Sequence, residues 1–95
     1  MKNLSNEMYE NYKHHLFVIT SGLEEMAKAA GRTKFVKNQL LRECYNLLDE
    51  EVRTEDEWKE EGARVKRDER PYLFWKGEEV SFRYSRSQVV FEEVK

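Results

Sequence analysis

From residue 5 to residue 30 apolar side chains recur at spacings of three and four. Met8, Tyr12, Leu16, Ile19, Leu23, Met26, Ala27 and Ala30 therefore share one stripe of a helix. Ser21 with Glu24 offers a capping box for a second start, and Gly22 costs helix propensity, but the unbroken stripe predicts one long helix. Gly31 stands just past the last periodic residue, where a left-handed C-cap needs a residue without a β-carbon. Thr33 is placed to cap a second helix. Its apolar residues Val36, Leu40, Leu41, Cys44, Tyr45, Leu47, Leu48 and Val52 cover a broad face, and two residues between the caps predict an antiparallel helical hairpin. Thr54 followed by Glu55, Asp56 and Glu57 reads as a capping box with three acids where the helix dipole favours them, opening a short third helix that carries Trp58, Ala63 and Val65.

Pro71 disfavours helical geometry at Arg70, and beyond it the period changes to two. Tyr72, Leu73, Phe74 and Trp75 form a strand-like run, Lys76 and Gly77 a turn, and Val80, Phe82 and Tyr84 alternate with Ser81, Arg83 and Ser85. Val89, Val90 and Phe91 suggest a third strand. The expected fold is α+β, with an N-terminal antiparallel helical hairpin and a short third helix packed on a C-terminal two- or three-stranded antiparallel β-meander. The length of 95 residues fits one domain, residues 1–95.

Composition changes this picture little. The chain is 39% hydrophobic and 38% charged, yet its formal net charge is only −2, so the pattern predicts a packed globule with a mixed-sign surface. The longest apolar run, Leu16 to Ile19, is far short of the ~20 residues that cross a bilayer. The first residues carry no apolar leader core, so a cytoplasmic address is expected, and the lone Cys44 excludes an internal disulfide and is expected to be a buried, inert thiol.

Candidate chemistry is sparse. His14 and His15 are adjacent, about 100° apart on a helix, and so do not ligate one metal from one face. No phosphate-binding glycine loop, serine-nucleophile elbow or zinc-protease motif occurs, so no cofactor or metal is expected and the reading is non-enzymatic. The strongest feature is charge placement. Eight acids stand between Asp49 and Glu61 against Arg53 and Lys59, an excess of six negative charges around Trp58. One reading is the solvated face of a helix start. Another is a partner surface of Glu55, Asp56, Glu57, Trp58, Glu60 and Glu61, with the indole filling a pocket on an unidentified, basic protein and the acids steering approach. Equally, Trp58 folds inward with Val65 as a satellite of the core. The leading expectation is thus a small regulator or inhibitor of the phage-like, mobile-element or immunity-protein type. The alternative is a nucleic-acid binder, winged-helix-like in topology, using Arg64, Lys66, Arg67, Arg83 and Arg86, with Tyr72, Phe74 and Tyr84 as stacking groups. Acids at the start of helix three argue against its entering a DNA groove. A third possibility is a homo-oligomer joined through the broad face of helix two.

Overall fold

A computed structural model of the chain describes residues 5–92. The predicted long helix forms as α1, Asn6–Ala29. Ser5 caps it, its Oγ accepting the Met8 N–H at 3.1 Å. Its end is a Schellman motif: Gly31 sits at φ +82°, with Arg32 N–H donating to Ala27 O and Gly31 N–H to Lys28 O.

The second helix is shorter than its apolar face suggested. It runs as α2, Lys37–Cys44, with Val36 at its N-cap and no side-chain cap, so Thr33 does not start it. Asn46 stops it. That residue takes the left-handed conformation at φ +62°, and Leu47 N–H returns to Arg42 O at 2.8 Å, the same closing motif built on asparagine. Leu47 consequently enters the core from the reversal, Leu48 is exposed, and Val52–Thr54 is a strand, β1.

Thr54 then caps α3, Glu55–Glu60, through the complete box: Glu57 N–H donates to Thr54 Oγ1 at 3.2 Å and Thr54 N–H to Glu57 Oε1 at 2.9 Å. Gly62 at φ +86° ends this helix, and Ala63–Val65, expected to continue it, is instead the strand β2. The hairpin after Pro71 is formed by β3, Tyr72–Lys76, and β4, Glu79–Ser85, turning at Gly77. A 3-10 turn, Arg86–Gln88, leads to β5, Val89–Phe91.

The protein is α+β, a long helix and short helices on antiparallel strands, but its third strand does not extend the hairpin into a meander. The larger sheet has the order β1-β4-β3, and β5 leaves it to pair with β2 in a second, two-stranded sheet. Strand alternation splits the work between the faces of the larger sheet. Tyr12 of α1 meets Phe82 edge-on at 5.6 Å, and Thr20 of α1 accepts the Trp75 indole N–H at 3.0 Å on the same face. On the other face Tyr45, just after α2, packs edge-on against Phe74. The outer edge of β3 is sealed rather than open. Asn38 of α2 pairs its carboxamide with Trp75 N–H at 2.8 Å and Trp75 O at 2.7 Å, and the Tyr45 hydroxyl donates to Leu73 O. Leu16, Leu41, Leu47, Phe74 and Val80 form the main core, whereas Trp58, Ala63, Tyr84 and Val89 make a second cluster beneath α3.

Candidate acidic interface

The acids of α3 follow from its cap. A helix of six residues has no stability of its own, so the box at Thr54 and one anchor must hold it. That anchor is Trp58, and it points inward. The ring is 1% exposed, its Nε1–H donates to Tyr84 O at 2.9 Å, the edge of Phe91 approaches at 6.1 Å between centroids, and the Arg53 guanidinium lies 5.5 Å from the ring centre. The expectation that Trp58 inserts into a partner is therefore corrected: the indole fills the protein's own second cluster, because the helix must spend its one large apolar side chain on docking to β4 and β5. Arg53, lying over that ring, leaves its buried Nε without a hydrogen bond.

With Trp58 inward, the neighbouring carboxylates divide. Glu57 belongs to the cap. Its carboxyl is held below the ordinary carboxylate range chiefly by the Thr54 backbone N–H, helped by the Thr54 side chain and by the charges of Arg83 and Arg53. Glu55 is half-buried. Asp56, Glu60 and Glu61 are exposed and form no ion pair among the described residues; the nearby arginine, Arg53, pairs instead with Glu51. Asp56 and Lys59 also edge a groove of about 480 Å³ whose far side is Lys76, Glu79 and Phe82 of the hairpin. The outcome is a fixed acidic patch beside a groove of mixed charge.

The basic set does not assemble into one surface. Arg64 lies on β2, Lys66 just past its end and Arg67 in the exposed turn that follows, but Arg64 is paired to Glu92 at 3.0 Å. Arg86 stacks over Phe91 at 4.6 Å. Arg83 belongs to the other sheet, where its Nε donates to Ser81 Oγ and its guanidinium covers Phe74. Phe74 and Tyr84, proposed as stacking groups, are buried and present no face to a base. The α3 helix spans six residues between β1 and β2, and its exposed positions are Asp56, Glu57, Lys59 and Glu60, a mainly acidic face.

Other candidates are placed as follows. His14 and His15 are exposed on α1, and no group of three or more His, Cys, Asp or Glu suited to a metal occurs among the described residues. Cys44 is exposed, contrary to expectation, because the inward line of α2 runs through Leu41 to Tyr45, one position further on. Of the broad face expected of helix two as a self-interface, Leu40, Leu41 and Leu47 are buried in the protein's own interior, whereas Val36, Cys44 and Leu48 are exposed. No helix among the described residues is long and apolar enough to cross a membrane. No family model, no curated protein and no solved structure gives a significant match to the chain.

Proposed function

We propose that the protein is a small non-enzymatic binding module that docks on a basic protein surface through the acidic patch of α3, in the manner of a regulator or inhibitor. The observation that carries this reading is the state of Asp56, Glu60 and Glu61: exposed, without ion pairs among the described residues, and mounted on a helix fixed by its cap and by a buried tryptophan. Unpaired charge on a rigid support steers association and selects against acidic partners at little ordering cost. Trp58 acts as the internal mount of this surface, and the contacts are made by the carboxylates around it.

The test uses the full chain as bait in its native cell lysate beside the variant Asp56→Lys, Glu60→Lys, Glu61→Lys. A protein retained by the first bait and lost from the second is then taken into stopped-flow mixing, where its association rate falls steeply with salt and falls further for the variant. The same proteins captured by both baits, or an association rate indifferent to salt and to charge reversal, removes the acidic patch as the site.

A further inference from the structure

The long helix α1 buries little of itself. Only Leu16, Thr20 and Ala27 of its 24 residues are buried, and four of the seven exposed large apolar side chains among the described residues belong to it. Phe17 and Val18 stand at its middle, 58% and 53% exposed. Around them runs a stretch of ten residues, 14–23, without a single Asp, Glu, Lys or Arg, in a chain that is 38% charged. Elsewhere in the described chain no uncharged run exceeds five. Within that stretch Leu16 and Thr20 are buried and Ile19 and Leu23 pack on the core, so Phe17 and Val18 are the apolar side chains it leaves in water, side by side and with no charge beside them, and they mark a contact surface.

We propose that two copies of the chain associate through this face, with the two α1 helices antiparallel and crossing near residue 19. The charges that bound the uncharged stretch choose the occupant. Glu10, His14, Phe17, Ser21, Glu24 and Lys28 recur at alternating spacings of four and three, so they share one line of the helix, with Phe17 its apolar member. When the helix is reversed about residue 19, Glu10 faces Lys28 of the second copy and Phe17 lies over Ser21. Two-fold symmetry makes each pair twice. Neither Glu10 nor Lys28 forms an ion pair within its own chain among the described residues, so both charges are free to do so. A parallel arrangement would instead stack Glu10 on Glu10 and Lys28 on Lys28. The antiparallel one also sets the helix dipoles head to tail. The sheet and α2 lie behind α1 and leave the seam clear.

A single helix pair is a small interface, below the ~1,200 Å² of a standard one, so the association is weak and reversible, with a dissociation constant on the order of 100 µM. It is independent of the function proposed for α3. Sedimentation velocity of the full chain between about 10 µM and 1 mM in low salt tests it, with dimer expected at the upper end. Phe17→Glu, at an exposed site, keeps the circular dichroism spectrum and stays monomeric throughout. Glu10→Lys or Lys28→Glu alone turns two attractions into two repulsions and weakens dimerisation about tenfold, whereas the double variant Glu10→Lys with Lys28→Glu restores it to within about threefold. A wild-type monomer at every concentration, self-association that survives Phe17→Glu, or a double variant no tighter than the single ones each overturns the proposal.

Discussion

Replacing Trp58 by alanine separates an internal anchor from an exposed contact. Trp58 is 1% exposed in a cluster completed by Ala63, Tyr84 and Val89, with Val65 partly packed against it and Phe91 and Arg53 against the ring. Few neighbours are available to collapse into the space left behind. The cost belongs at the full size for a large aromatic, about 3–5 kcal/mol, with the lost N–H to Tyr84 O bond contained in it. A chain of this length has a total stability of roughly 5–14 kcal/mol at ordinary values per residue, so the substitution removes a large share of it. Trp58→Phe retains a ring and leaves Tyr84 in register with Arg53 in the β1–β4 ladder, and it is expected to cost about 1–2 kcal/mol. Urea unfolding followed by far-ultraviolet circular dichroism measures both, the alanine variant shifting the midpoint by roughly 2 M. Stability of Trp58→Ala within about 1 kcal/mol of the parent would refute the buried placement and return the indole to the surface as a candidate contact.

Asn38→Asp tests the seal on β3. The carboxylate still accepts from Trp75 N–H but meets Trp75 O, 2.7 Å away, without a proton to donate, so a loss of about 1–3 kcal/mol is expected at neutral pH. That loss shrinks below about pH 4, where the acid regains a donor, and equal stability of the variant at pH 7 would show the bond to be dispensable. Glu57→Gln tests the cap by its titration. The folded carboxyl is depressed, so its contribution is complete above the unfolded value of about 4.3 and is lost as pH falls through the lower folded value. The glutamine variant is therefore flatter than the parent in unfolding free energy between about pH 5 and pH 2, and parallel curves would dispose of the assignment.

The sequence was most legible where a local chemical rule decides the conformation alone. The stripe of α1, Gly31 at its end, the box at Thr54 and the turn at Gly77 each needed only neighbouring residues. It was least legible where tertiary pairing outbids the helical pattern. Leu47, Leu48 and Val52 continue the spacing of α2, yet Asn46 in the left-handed conformation breaks it, and an asparagine there was the available signal. Val52–Thr54 and Ala63–Val65 are three-residue strands that exist because β4 and β5 lie opposite, a fact with no local signature. The same blindness applies to Trp58. Its acidic neighbours suggested an outward ring, whereas burial was decided by the distant Tyr84 and Val89.

The inward tryptophan alters the physics of the acidic patch. An exposed indole would have supplied binding energy itself and left the carboxylates as a rim, whereas a buried one supplies position. The six-residue helix is then a platform whose orientation is set by the Nε1–H bond to β4 at one end and by the Thr54 box at the other. Charge displayed on such a platform keeps its geometry before the partner arrives, so on the proposed reading the affinity depends on the complementarity of the partner's basic surface and little on ordering this one. Loosening the mount should for that reason weaken binding without removing any contact. Trp58→Phe, folded but less firmly docked, is expected to raise the dissociation rate while the salt dependence of association persists, and the charge-reversed variants do the opposite. If both kinds of variant changed the same rate constant, position and charge would not be the separate contributions argued here.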